Sequence, residues 1–235
     1  MSRKTTILLI LSGAAAAIGL VSAIGSTCTT FDPQWWKVAS FSIIADFQLI
    51  FILTYIVTWL VALAWGVLFW ALRVKKPWFY RSALITSIAG FLSGFIPVAI
   101  LFYEWWASYG VTGMAFTPSW FRTIINAVIL VVLLLPVMRT EIQNMVEEKA
   151  ALPGMSTGTQ ISDFAFVLFG FGIVLMLQPY IMPATHIING VNVGYDYEEL
   201  QFFGGLLSLL LGVAIRLIGY LLNMFYSPIP TSSQT

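Results

Sequence analysis

Six stretches of this chain, residues 6–27, 41–72, 83–106, 118–138, 164–183 and 201–226, run almost free of charge for the length of a bilayer crossing. That pattern leaves few folds open. About 20 apolar residues in helical form cross the hydrocarbon core. No water reaches that core, so each crossing must pair its own backbone N–H and C=O groups, and a helix does this within one segment. Composition agrees: hydrophobic residues make up 59% and charged residues 9%, against about 25% charged in a soluble domain. Mean hydropathy is +0.91. The sequence predicts an all-α polytopic membrane protein, a single transmembrane domain (1–235) built as a bundle of six helices.

Positive charge orients the bundle, because Lys and Arg are retained on the cytoplasmic side. With a cytoplasmic N-terminus, the inner segments hold Arg3, Lys4, Arg73, Lys75, Lys76, Arg81, Arg139 and Lys149, and the outer ones only Lys37 and Arg122. Six crossings return the C-terminus to the cytoplasm. The expected location is the plasma membrane.

Several segments carry their own signals. The basic start and small residues of the first stretch resemble a secretory signal, but Thr27 before Cys28 fits a lipobox poorly, so a retained helix is expected. Its face Ser12, Ala15, Ala16, Gly19, Ser22, Ala23 and Ser26 suits close helix packing. The second stretch is longer than a bilayer needs, which predicts a tilted or projecting helix. In the fourth, residues 123–138 are the apolar part, and Pro118–Arg122 extends it outward. Ile142, Met145, Val146 and Lys149 share one face of a short amphipathic helix over 140–152, expected on the inner membrane surface or against a partner. Asn189–Gly190 between β-prone residues predicts a small outer β-hairpin over 186–195.

Absences narrow the chemistry. One cysteine, Cys28, rules out an intrachain disulfide and a CxxC redox pair, and one histidine, His186, rules out multi-histidine metal sites. His186 with Asp196, Glu198 and Glu199 is a weak metal signal, since acids at the start of a helix suit its dipole without any metal. No metal or cofactor is expected. A net charge of +1 gives no footprint for nucleic acid. A membrane serine protease needs a serine–histidine pair in one cavity, and the sequence points to no enzyme.

Arg216 is read as the one basic residue within an apolar span. Gly205, Ser208, Gly212, Arg216, Gly219 and Asn223 recur every three or four residues, within an arc of roughly 80° at helical periodicity. A charge at bilayer depth costs about 2.5–3.5 kcal/mol on insertion scales. Arg216, Asn223, Ser208 and Gly212 thus form a candidate intramembrane polar site or interface. Arg216 is repaid there by backbone carbonyls, by another subunit, by a lipid headgroup, or by a role in transport. Asp46, Glu104, Arg122 and Gln178 form a second candidate, an outer polar cluster, although boundary carboxylates also simply mark the water line. Pro97 and Pro179 each free a helix carbonyl, which is tolerated only where protein or water satisfies it. Gly90 and Gly94 below Pro97 make a GxxxG step.

Two functions fit. The first is a non-catalytic integral subunit that packs into and stabilises a larger membrane complex, through its small-residue faces and amphipathic helix. Its partners are then the lipid bilayer and other membrane subunits, or further copies of itself. The alternative is a small-solute or ion transporter or channel with Arg216 in the translocation path.

Overall fold

The computed structural model describes residues 2–37, 41–109, 118–151, 156–181, 187–188, 191–192 and 198–226. Among these residues five helices are long and apolar enough to cross a membrane, and the protein is a helical integral membrane protein. They lie in α1 (Arg3–Phe31), α4 (Gln48–Arg73), α5 (Phe79–Tyr109), α8 (Thr157–Ile181) and α9 (Glu198–Tyr226). Shorter helices are α2 (Pro33–Trp36), α3 (Ile43–Asp46), α6 (Pro118–Leu134) and α7 (Pro136–Ala151). The only extended structure among the described residues is two residue pairs, with β1 (Ile187–Ile188) antiparallel to β2 (Val191–Asn192). Two pairs do not make a layer. The turn residues Asn189 and Gly190, with His186 and residues 193–195 of the expected hairpin, lie outside the described residues, as does the segment 227–235.

Two expected spans are corrected. Residues 41–72 are not one long helix: the chain breaks at Phe47 (φ −113°, ψ 25°) between α3 and α4. α4 alone is long enough to cross, so the excess length became a separate turn packed on Phe51 and Leu101. Residues 118–138 are not one span either. α6 stops at Leu134, and α7 leaves at a bend of 75°. Pro136 has no N–H to offer the Val132 carbonyl, which bonds Leu135 instead at 3.3 Å. The Arg, Glu and Lys residues that follow make α7 too polar to continue through the bilayer. α6 and α7 together have the shape of a broken crossing or a re-entrant loop, so the described residues hold five crossings, or six if the bent pair counts as one.

The core lies among α1, α4, α5 and α6. Leu8 and Ala15 meet Val61, Trp65, Leu68 and Leu72 of α4, Phe79 and Ala83 of α5, and Ile129 and Leu133 of α6. α7 folds beneath them. Its Met138, Ile142 and Met145, spaced for one helix face, are buried in the same cluster, and Glu141 meets Lys4 at 3.9 Å. The amphipathic helix therefore covers the end of its own bundle. The small face of α1 is also satisfied within the chain, where Gly19 packs against Ala62 of α4.

α8 and α9 form a hairpin at the side of this core. α8 reaches α1 and α4, whereas α9 packs chiefly on α8. Around the outside, Leu49, Leu53, Ile56, Leu60, Leu63 and Val67 make an exposed 4–3 stripe along α4. So large a continuous apolar surface suits hydrocarbon rather than water.

Candidate functional site

α5 supplies the floor of a buried polar centre. Pro97 lies inside the helix, and its ring nitrogen cannot donate to the carbonyl four residues back, that of Ser93. About one and two turns before Pro97, Gly94 and Gly90 leave room where a side chain would stand. A Cβ at Gly94 would strike Thr123 Oγ1 and lie 3.2 Å from both Arg122 Nε and the Ser119 oxygen. A Cβ at Gly90 would strike Asn126 Oδ1. The GxxxG step thus admits polar side chains of α6.

These contacts fix the depth of α6. Its far end is level with the start of α5, where Tyr80 donates to the Leu133 carbonyl at 3.2 Å. Its near end, Ser119, stands beside Gly94, midway along α5. Ser119 and Arg122 therefore stand level with the middle of α5, not with its far end.

Arg122 is only 1% exposed. Its Nη2 donates to the Ser93 carbonyl at 2.6 Å and its Nη1 to Ser22 Oγ of α1 at 3.0 Å. Nε has no hydrogen-bond partner among the described residues. The Arg122 carbonyl accepts from Asn126 Nδ2 at 2.8 Å, and Asn126 Oδ1 accepts from Trp65 Nε1 of α4 at 2.9 Å. One continuous network thereby joins α1, α4, α5 and α6. Lys4 pairs with Glu141 and Arg73 with Asp163, and no carboxylate among the described residues forms an ion pair with Arg122.

The expected outer cluster does not form. Asp46 is exposed on α3, and Glu104 makes no ion pair with Arg122. Gln178 is buried near the end of α8, with its Oε1 unpartnered among the described residues. The residues of the intramembrane candidate lie along one helix pair. Ser208 Oγ donates to the Leu168 carbonyl at 2.9 Å, and Asn223 Nδ2 donates to Thr159 Oγ1 at 3.2 Å. Gly212 abuts the Phe169 ring, and Gly219 abuts the Gly158 carbonyl. The small-residue stripe is the seam between α9 and α8. Arg216 lies beside that seam, exposed, with its guanidinium 5.0 Å from the centre of the Phe166 ring.

Comparison with family models, curated proteins and solved structures finds no match. The donor set itself limits what the centre can do. Arg122 spends its terminal nitrogens on a carbonyl and a hydroxyl, which holds three helices together and presents no acid–base pair. Glu198 accepts from Tyr180 at 2.6 Å at the start of α9. His186 and Asp196, the other members of the weak metal signal, lie outside the described residues. No group of three metal-ligating side chains occurs among the described residues.

A second feature lies towards the opposite ends of α1, α4 and α8 from Arg73. A cavity of about 260 Å³ is lined by Ile24, Thr27, Tyr55, Trp59, Leu175, Leu200 and Gln201. Trp59 Nε1 and Gln201 Oε1 are buried without a hydrogen-bond partner among the described residues.

Proposed function

We propose that this protein is a non-catalytic integral subunit that packs into and stabilises a larger membrane complex. The observation that carries the reading is the position of α9. It stands at the rim of the molecule on α8, and Leu206, Leu210, Val213, Leu217, Tyr220 and Met224 form an exposed 4–3 seam along it. That spacing suits insertion between helices of another chain. Arg122, Asn126, Trp65, Ser93 and Ser22 are meanwhile bonded to one another inside the bundle, so the rim is where a partner has something to hold. Read as a sixth crossing, α6 with α7 puts both termini on the cytoplasmic side of a plasma membrane, which the excess of Lys and Arg in the inner segments favours.

Purification in mild detergent tests the reading. A defined set of partners at fixed stoichiometry is expected, and Val213→Trp on the exposed seam should release them while the chain stays folded. A lone chain or homo-oligomer that conducts a solute overturns it. That result would favour the transport alternative, which the cavity beside Trp59 and Gln201 supports. Arg216, on the outside of the helix pair, supports it less.

A further inference from the structure

Phe166 of α8 carries two cations. The Arg216 guanidinium stands 5.0 Å from its ring centre and that of Arg73, at the end of α4, 5.2 Å. Lys76 lies next to them, over Trp70 at 5.3 Å and bonded to Gln160 Oε1 at 3.0 Å. Among the described residues the carboxylate that meets this group is Asp163, 3.6 Å from Arg73. Positive charge therefore exceeds negative at this end of the bilayer crossing.

The same Phe166 ring closes one end of an apolar groove between α1, α4 and α8. The groove, about 140 Å³, runs along α8 from Phe166 to Val174, with Gly13, Ala17, Gly66 and Phe69 on its other walls. At 1.5 Å per residue that is about 12 Å, directed from the level of the cations towards the bilayer centre. Gly170 lines it, and a Cβ there would meet no atom within 4 Å. A cationic mouth at interfacial depth above an apolar slot has the polarity of one molecule, an anionic phospholipid. The mouth fits its phosphate and the slot one acyl chain. Arginine forks match phosphate oxygens in pairs, and basic pockets between crossings hold anionic headgroups.

We propose that Arg73, Arg216 and this groove bind an anionic phospholipid, with the phosphate between the two guanidiniums and an acyl chain along Gly170. The proposal explains why Arg216 sits outside the α8–α9 seam. It does not depend on what partner, if any, covers α9.

Native mass spectrometry of the full chain, released from micelles carrying phosphatidylglycerol or phosphatidylcholine, tests it. Phosphatidylglycerol should be retained at least tenfold more than phosphatidylcholine. Arg73→Gln/Arg216→Gln should abolish the preference. Gly170→Leu, which fills open space and leaves both arginines in place, should reduce retention of the lipid by a similar factor. A thermal melt confirms that each variant is folded. Equal retention of the two lipids, undiminished retention in either variant, or displacement of the lipid by millimolar inorganic phosphate overturns the proposal.

Discussion

Arg122 Nη2 donates to the Ser93 carbonyl at 2.6 Å, and Ser93 is the residue whose helix bond Pro97 removes. Either partner alone is costly in hydrocarbon. A lone cation pays about 2.5–3.5 kcal/mol on insertion scales, and a buried carbonyl without a donor loses about 1–3 kcal/mol. Together each removes the other's cost, and Ser22 Oγ accepts the second guanidinium nitrogen.

This coupling predicts non-additive mutations. Arg122→Met should destabilise the protein by about 1–3 kcal/mol, because it leaves the Ser93 carbonyl and Ser22 without their donor. Pro97→Ala returns an N–H to that carbonyl. In the Pro97→Ala background, Arg122→Met should therefore cost less, by a coupling of about 0.5–3 kcal/mol. Denaturant titration in micelles of the four proteins measures it. Strict additivity would show that the two residues act separately.

The glycines of α5 and α8 should behave oppositely. Gly90→Ala drives a methyl group into Asn126, and Gly94→Ala drives one into Thr123. Both are expected to cost about 1–3 kcal/mol, since the facing atoms belong to the network and cannot retreat cheaply. Gly170→Ala meets open space and should leave stability level or slightly raised. Melting temperatures of the three variants decide this, and an intact Gly90→Ala protein would show that α6 can slide.

Much of the fold was legible from length and hydropathy, because a bilayer sets both. The five full-length crossings follow from those alone; of the face expected for α7, Ile142 and Met145 are buried, with Met138 beside them, against the chain's own core rather than a membrane surface or a partner. The failures share a cause. Hydropathy reports whether a residue tolerates lipid and says nothing about where helices break. It ran residues 41–72 through Phe47 and 118–138 through Pro136. Arg122 was misplaced for the same reason: a charge near the start of an apolar stretch reads as a water-line residue, whereas α6 begins beside Gly94, deep in the bundle. The signals for the true site were present separately, in Pro97, in Gly90–Gly94 and in the polar residues early in α6. Only the antiparallel register of α5 and α6 brings them together. Arg216, conversely, lay on the right helix and the right arc. Helical periodicity cannot distinguish the seam from its edge, where the residue in fact stands.

Docking of α7 should depend on its apolar face and hardly at all on its ion pair. Lys4 and Glu141 stand 3.9 Å apart in partly exposed positions, and such pairs contribute about 0–1 kcal/mol. Ile142 is buried against the core, and its truncation to alanine is expected to cost about 2–5 kcal/mol. Hydrogen exchange across Pro136–Ala151 should quicken in Ile142→Ala and stay unchanged in Glu141→Gln. The reverse pattern would mean that charge holds the helix in place.

Arg216→Ala should separate assembly from folding. The side chain is exposed, and its described contact is the Phe166 ring, an interaction worth about 0.5–1 kcal/mol at exposed sites. The α8–α9 seam keeps Gly205, Ser208, Gly212, Gly219 and Asn223, so the isolated chain should melt within about 1 kcal/mol of the parent. Arg122→Ala should be far worse, although both changes delete one arginine from an apolar helix. Burial decides the difference: Arg122 is enclosed and bonded to α1 and α5, whereas Arg216 is exposed. If the rim is where the protein meets its partners, Arg216→Ala should lower the yield of the complex and leave the turnover of whatever complex forms unchanged. Yield from affinity purification and flux in reconstituted vesicles are read on the same variant. Normal yield with abolished flux would move Arg216 from assembly to transport and sink the subunit reading.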